Sequence, residues 1–368
     1  MHLAWLELTD FRSYPDLRFD PAPGVNVLVG DNGTGKTTVL EAISYLSALR
    51  SFRGSPDAAL IRAESPEAIV RGGFERESGE LRVEIALPVA APRRVMVNGK
   101  RPRRYSDVRS EVPVVAFLPD DLDLVKRGPA IRRAYLDDLA AMLSPSAGAD
   151  QAEYDKALRQ RNSLLRAEGR HVDPVELDVW DERVAEKGSE VLAHRLSLLD
   201  RLAPSLEAAY RDVGGGEALQ ATYASRWAGD DWRAASRRPA DHAPALRAAL
   251  LDRRTRDQEQ RTTTAGPHRD EPGLVLGGRD VRTMASQGEQ RTAALALRLS
   301  AYRLLEERHG RPPLLLLDDV FSELDPLRAE GVMRLLPRGQ VFVTSAREDD
   351  VPVAGTRWHV EGGVIRAG

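Results

Sequence analysis

The 368 residues contain no cysteine. That removes disulfides, a thiol nucleophile and every zinc device built on paired cysteines. Lysine is nearly as scarce, supplying five of the 53 basic residues, so the cationic chemistry of this chain is arginine chemistry. Long apolar runs are missing as well. No stretch approaches the ~18 consecutive apolar residues of a membrane-spanning helix, and the opening Met-His-Leu-Ala-Trp-Leu-Glu has no basic region leading into an apolar one. These two absences predict a cytoplasmic chain. Nor is there an excess of one charge: 56 acidic residues leave a formal net charge of −3. Any surface for nucleic acid must therefore be a local patch. The length suffices for two domains, or for one large domain carrying an insertion.

What is present is organised around Gly30-Asp31-Asn32-Gly33-Thr34-Gly35-Lys36-Thr37, which fits the phosphate-loop pattern Gly-x-x-x-x-Gly-Lys-Thr. It lies between a predicted strand (Val25, Val27, Leu28, Val29) and a predicted helix (Thr38 to Leu49), the context the mechanism needs. Glycines let the backbone curl until successive N–H groups face one concavity, and the helix that follows adds the positive end of its dipole. Lys36 brings a full charge to the β- and γ-phosphates. Thr37 offers a hydroxyl to Mg²⁺, a hard cation that prefers oxygen and bridges phosphates. The nucleotide-contacting set is thus Gly30, Asp31, Asn32, Gly33, Thr34, Gly35, Lys36, Thr37 and Thr38, with ATP and Mg²⁺ as ligands.

In chain order, residues 3 to 29 read as a β-meander that enters this loop. Ile69 to Phe74 and Arg82 to Leu87 read as strands, and Val95 to Lys100 as a hairpin closed by a type I′ Asn98-Gly99 turn. Near residue 126 the pattern turns helical for about 140 residues, with helices expected at Pro129 to Leu143, Ala152 to Ala167, Val175 to Leu202 and Pro244 to about Gln260. In the longest, Leu177, Val184, Val191 and Leu198 recur every seven residues, while Trp180, Lys187, His194 and Arg201 hold the companion positions. That is half a coiled-coil seam and predicts a helix packed on neighbours. Gly214-Gly215-Gly216 and Arg237-Arg238-Pro239 mark loops within the block. The expected fold is α/β: a nucleotide head with an antiparallel β flank, formed by 1–125 and 262–368, interrupted by a mainly helical insertion, 126–261.

Two further motifs follow. Leu314 to Leu317 form an apolar run of strand length that ends in Asp318-Asp319, as a buried parallel strand delivering acids to its carboxyl edge should. Asp318 would hold Mg²⁺, and Asp319 would orient or deprotonate the attacking water. Upstream, Ser286-Gln287-Gly288-Glu289-Gln290-Arg291 opens a helix predicted from Thr292 to Leu305. Ser286 and Gly288 read as a second anion site at a helix start, and a second γ-phosphate reader suggests a nucleotide sandwiched between two chains.

These elements, in this order, resemble the ABC-type ATPase class: phosphate loop, signature-type segment, Walker B strand, then Ser322-Glu323-Leu324-Asp325 in the position of the dimer-contacting D-loop. Nearly 280 residues separate the first from the Walker B strand, and that organisation is similar to the SMC-like branch, whose heads are split by an insertion. Within it the chain resembles the RecF family of bacterial recombination mediators. The residues carrying this are Leu8 to Tyr14, Leu40-Glu41-Ala42-Ile43, Arg50-Ser51-Phe52-Arg53, Phe117 to Leu122, Arg132 to Asp137 and Gly266-Pro267-His268-Arg269-Asp270. The resemblance implies an ATP-dependent homodimer on duplex DNA near single-strand gaps, a weak DNA-stimulated ATPase serving DNA repair, replication, recombination and the SOS response. It also implies partnership with RecR and RecO in loading RecA. On this analogy Lys36 and Thr37 bind phosphate and Mg²⁺, Asp318 the metal and Asp319 the water, while Ser286 meets the γ-phosphate of the opposite subunit. Catalysis would then rest on Lys36, Asp319 and Ser286.

Two features depart from general ABC patterns. No glutamine lies in Phe117 to Val125, where a Q-loop would be sought, and no histidine lies in Val341 to Ala346, where Thr344 or Ser345 would have to substitute for the switch histidine. His268 and Arg269 stand either near the nucleotide and DNA or in a structural turn after Pro267. Arg101-Pro102-Arg103-Arg104, Arg132-Arg133 and Arg253-Arg254-Arg256 are the candidate DNA patches, although such a run is more often a solvated face. Other readings are a transporter-type ATPase energising another subunit, which the long insertion disfavours, and a head of a structural SMC protein. The latter needs a coiled coil and hinge that about 140 inserted residues cannot supply.

Overall fold

The computed structural model describes residues 1–368 except 215, 229, 230, 232, 324, 325 and 336–338. In chain order the first elements are β1 (His2–Phe11), β2 (Tyr14–Phe19), β3 (Val25–Val29), α1 (Lys36–Ala48), β4 (Glu67–Arg76), β5 (Gly79–Pro88), β6 (Arg94–Val97), α2 (Tyr105–Glu111) and β7 (Val114–Phe117). A helical stretch follows: α3 (Pro129–Leu143), α4 (Pro145–Glu168), α5 (Pro174–Asp212), then β8 (Leu219–Ala224), α6 (Pro239–Asp252) and α7 (Arg254–Gln260). The chain closes with β9 (Glu271–Leu276), β10 (Arg279–Asp280), α8 (Gln287–His309), β11 (Leu314–Asp318), β12 (Val341–Ser345), β13 (Thr356–Glu361) and β14 (Val364–Ala367). By spatial clustering these form two compact units: 1–121 with 212–214 and 295–368, and 122–211 with 215–294. Packing therefore groups 262–294 with the helical stretch, whereas the motifs group it with the head.

The first unit holds two sheets. One is antiparallel, ordered β2-β1-β4-β5-β6; the other, β14-β13-β3-β12-β11-β7, is parallel except for its edge strand β14. In β1 the buried side chains are Leu3, Leu6, Leu8 and Phe11, and a register shift between Leu3 and Trp5 brings Leu3 onto the face that strict alternation would deny it. β11 lies between β12 and β7, which satisfy both its edges, and Leu314 to Leu317 are wholly buried, as in a strand covered on both faces. Helix α1 buries Leu40, Ile43, Tyr45 and Leu46 in one core with residues of both sheets, among them Leu6, Val70, Leu316 and Phe342. Each such aliphatic side chain contributes about 1.5–3 kcal/mol. Gln340, wholly internal, stitches the two sheets: its amide donates to Leu3 and Ala22 carbonyls and accepts from the Leu3 N–H.

The second unit is mainly helical, with a three-stranded sheet β10-β9-β8. In α5 the sevenfold positions Leu177, Val184, Val191 and Leu198 are buried, whereas Trp180, Lys187 and His194 are half-buried and Arg201 is exposed. The half seam packs on α4 and α6 through Tyr154, Ala157, Leu246 and Leu250. Gly188 permits this approach, since a Cβ there would stand 2.6 Å from Leu246. Three details differ from the sequence expectation. Strand β8 sits in the block read as helical, its Leu219, Ala221 and Tyr223 alternating inward over six residues. The fourth helix begins at Pro239, where proline suits the first turn, so Pro244 lies inside it, and a break at Arg253 divides it in two. Within Gly214-Gly215-Gly216, Gly215 lies outside the described residues.

Candidate nucleotide site

The parallel sheet aligns the ends of three strands. Val29 pairs with Ser345 and Thr344 with Asp318, so β3, β12 and β11 finish side by side, and the loop from Gly30 to Gly35 leaves β3 at that edge. Gly33 and Gly35 take φ of 86° and 107°, values that favour glycine. At Gly35 a Cβ would also stand 2.6 Å from the Tyr14 hydroxyl, and at Gly30 one would stand 2.4 Å from the Val360 carbonyl. The Lys36 ammonium, buried, donates to the Gly30 and Asp31 carbonyls at 2.6 and 2.8 Å, spanning the loop. Asp31, Asn32 and Gly33 are exposed at the loop's crest, while Thr34 bonds back to the Asp31 carbonyl at 2.9 Å and Thr38 is buried in the helix.

At the mouth of α1 the Thr37 hydroxyl donates to Asp318 Oδ1 at 2.9 Å, across 281 residues of sequence. Thr344 donates to the same oxygen at 2.7 Å and accepts from the Asp319 N–H at 3.0 Å. Asp319 adopts φ 51°, a left-handed turn that aspartate tolerates better than most residues. A hydroxyl and a single carboxylate, together on the buried rim of a glycine loop, suit Mg²⁺, which takes few protein oxygens and completes its shell with phosphate and water. The described residues include no cluster of three or more His, Cys, Asp or Glu able to hold a metal.

Sequence reasoning left the Q-loop and switch-histidine roles at the γ-phosphate unassigned. Thr344, one of its two substitutes for the switch histidine, proves to be the residue that joins Asp318 to Asp319. Ser345 instead turns its hydroxyl to the Arg347 carbonyl at 2.8 Å. In the segment searched for a Q-loop, Asp121 takes a bidentate pair from Arg298 at 2.6 and 3.0 Å and accepts from the Leu118 N–H. No motif announced Arg298, which lies mid-helix in α8.

Ser286 belongs to the second unit and the phosphate loop to the first. The Ser286 N–H donates to the Glu289 carboxylate at 2.6 Å and the Glu289 N–H to Ser286 Oγ at 3.3 Å, a reciprocal capping box for α8, with Gly288 in its first turn. These bonds hold the Glu289 carboxyl below its ordinary value. In the D-loop segment, Ser322 donates to the Asp319 carbonyl at 2.7 Å, and Leu324 and Asp325 lie outside the described residues.

The remaining family-like segments converge in two places. Arg12 grips the wholly buried Glu41 of α1 at 2.8 and 3.0 Å, and Ser51 donates to the same carboxylate. Three motifs thereby lock the helix behind the phosphate loop. In the second unit, Asp270 accepts from Tyr223, Ser225 and Trp227, Arg133 donates to its carbonyl, and Arg195 ties Asp137 to the Pro267 carbonyl. His268 bonds Tyr154 at 2.7 Å and the Thr263 carbonyl at 3.0 Å, and burial pushes its imidazole down to about 4. The Arg269 guanidinium reaches the Thr263 carbonyl. For His268 these bonds describe the structural turn, whereas Arg269 stays exposed beside it.

A phosphate loop and a carboxylate strand set two places apart in a parallel sheet, flanked by an antiparallel sheet, form an ABC-type head. The profile of the RecF/RecN/SMC N-terminal domain matches residues 2–361. The fold is shared with the Smc head domain of Pyrococcus furiosus at a TM-score of 0.58 and 17% identity, covering 100% of this chain and 96% of that one. The class is thus the ATP-binding, SMC-like branch of the ABC-type ATPases. Within it the chain belongs to the RecF family. It is 41% identical over 386 residues to the DNA replication and repair protein RecF of Frankia alni, with both chains covered in full. A solved structure of the recombination mediator protein RecF with ATP, in the RecFOR pathway, shares 31% identity and a TM-score of 0.93, covering 100% of this chain and 97% of that chain.

Proposed function

We propose that this protein is an ATP-controlled DNA clamp of recombinational repair, in which two heads close over two Mg·ATP on DNA and hydrolysis reopens them. The observation that carries this is the convergence of Thr37, Asp318, Thr344 and Asp319 at the end of the sheet, beside a lysine-spanned glycine loop. Lys36 leaves the loop carbonyls to meet the β- and γ-phosphates, and the loop N–H groups of residues 30–38 hold the rest. Thr37 and Asp318 would hold Mg²⁺, which would supply charge neutralisation to the phosphates. Asp319 accepts a proton from, or orients, the attacking water. Hydrolysis is weak and is stimulated by DNA.

The head comprises 1–125 and 262–368 and the insertion 126–261, an assignment by motif that keeps Ser286 with the nucleotide machinery. Ser286 caps α8 in the single chain, and the exposed start of that helix suits it to a γ-phosphate presented by a second copy. The working form is then a homodimer, acting in the cytoplasm at duplex regions beside single-strand gaps, where RecO and RecR assist in loading RecA. No helix among the described residues is long and apolar enough to cross a membrane.

Sedimentation of wild type, Lys36→Met, Ser286→Arg and Asp319→Asn, each with Mg·ATP and with or without gapped duplex DNA, tests the reading. Wild type is expected to dimerise only with ATP, Lys36→Met and Ser286→Arg to stay monomeric, and Asp319→Asn to accumulate as a DNA-bound dimer. If Ser286→Arg dimerises like wild type, Ser286 is a helix cap alone and the sandwich is wrong.

A further inference from the structure

Three arginine clusters were open to DNA on sequence, and their bonding separates them. Arg132 spends its guanidinium on the Pro272, Leu124, Val125 and Arg127 carbonyls, and Arg133 on that of Asp270. Arg254 pairs with Asp178 and Asp181, and Arg253 bonds the Thr264 carbonyl. These four are structural. Lys100, Arg101, Arg103 and Arg104 are different: all are exposed, and no carboxylate pairs with any of them among the described residues.

Their surroundings reinforce this. Between Glu84 and Asp107 the chain carries six basic residues and no acidic one. Arg93 and Arg94 are consumed by Asp57 and Glu67, which leaves the other four as a free cationic group. The segment is also rigidly presented. β6 is the edge strand of the antiparallel sheet, and Asn98 and Gly99, at φ of 48° and 75°, turn the chain so that Val97 and Lys100 bridge. Asn98 pins the turn to Arg82 through two 2.8 Å bonds, one from each backbone N–H. Directly after the cations comes Tyr105, a ring left 46% exposed.

We propose that Lys100, Arg101, Arg103 and Arg104 form a nucleic-acid surface on which the cations follow the phosphate backbone and the Tyr105 ring stacks on an unpaired base. An acidic polypeptide would satisfy the charges but gives no reason for a solvent-facing ring beside them. A base face does, since aromatic stacking combined with a cationic groove is how single strands are held without sequence preference. The proposal rests on the DNA-clamp reading and locates its DNA-facing surface.

Anisotropy of labelled blunt duplex and of gapped duplex, titrated in Mg·ATP at several salt concentrations, is the test. Changing all four cations to alanine is expected to flatten the dependence of log K on log salt by about 3.6, at ~0.9 for each phosphate no longer neutralised. ATP affinity and Tm should stay as in wild type, because these side chains support nothing else. Tyr105→Ala should weaken gapped DNA by about fivefold to a hundredfold and leave blunt duplex nearly unchanged, with Tyr105→Trp restoring it. Changing Lys156, Arg159, Arg166 and Arg247 to alanine, which removes four exposed cations elsewhere, is the control for net charge. An unchanged salt slope in the four-alanine variant, or an equal loss in the control, overturns the surface while the clamp stands. Wild type without salt-sensitive DNA binding overturns the clamp, and the surface falls with it.

Discussion

Thr344 carries the tightest demand on any single residue at the site. Its one hydroxyl donates to Asp318 and accepts from the Asp319 N–H, fixing the metal-side carboxylate and the turn that aims the next one. Thr344→Val keeps the shape and buries no new polar group, but it leaves an N–H and a carboxylate oxygen each short of a partner. If ATP is held chiefly by the loop and Lys36, as proposed, the change is expected to leave the Kd for ATP within about twofold and to lower kcat by about tenfold, or ~1.4 kcal/mol of barrier. Single-turnover hydrolysis beside equilibrium ATP binding measures both, and a parallel loss of affinity would show Thr344 to be a binding residue instead. The same geometry dictates how Asp319 should be probed. At φ 51° asparagine is tolerated and alanine is strained, so Asp319→Asn removes charge without disturbing the turn.

Among the elements, the turn from Gly266 to Asp270 shows how a motif can be scaffold. Gly266 has φ 130°, and a Cβ there would stand 2.7 Å from the Tyr154 hydroxyl, so the turn closes on α4 only with glycine. His268 is buried neutral inside it, chiefly through desolvation, helped by the charges of Arg269, Arg133 and Arg195. An unfolded imidazole binds its proton near 6.5 and the folded one near 4, so the unfolded state holds more protons between those values. Stability from this group is complete above 6.5 and is lost as pH falls towards 4, by roughly 2 kcal/mol at pH 5. Asp270, pushed up by burial, works in the opposite direction, so the clean reading is a difference. The gap in Tm between wild type and His268→Gln should narrow from pH 7.5 to pH 5, and a constant gap would mean His268 does not titrate as its burial demands. The sequence made the phosphate loop, the Asp318-Asp319 strand end and the main helices legible, because each is written in contiguous residues with a fixed period or spacing. It could not make legible the bonds that close over 25 to 281 residues, such as Thr344 to Asp319 or Thr37 to Asp318. Six-residue β8, embedded among helices, was too short for its alternation to outweigh its neighbours.

If the chain dimerises over ATP as proposed, ATP binding and dimerisation are separate equilibria of the whole molecule that a single stability measurement can resolve. A ligand that binds only the folded chain raises Tm whatever the protein concentration, whereas self-association adds about 1.4 kcal/mol per mole of dimer for each tenfold rise in concentration. Wild type in Mg·ATP should therefore show a Tm that climbs with protein concentration, and without nucleotide a Tm that does not. Lys36→Met should lose both the ATP shift and its concentration dependence. Ser286→Arg is the informative case, because Ser286 already caps α8. Removing the cap lowers Tm at every concentration, by the equivalent of about 1 kcal/mol. That offset is present without ATP and cancels from the slope. If Ser286 also meets a γ-phosphate across a dimer, the variant keeps its ATP shift and loses the slope; if Ser286 is only a cap, the slope survives intact under a lowered baseline. If Asp319 serves hydrolysis as proposed, Asp319→Asn should give the steepest slope of the set, since nothing then returns its closed dimer to monomers.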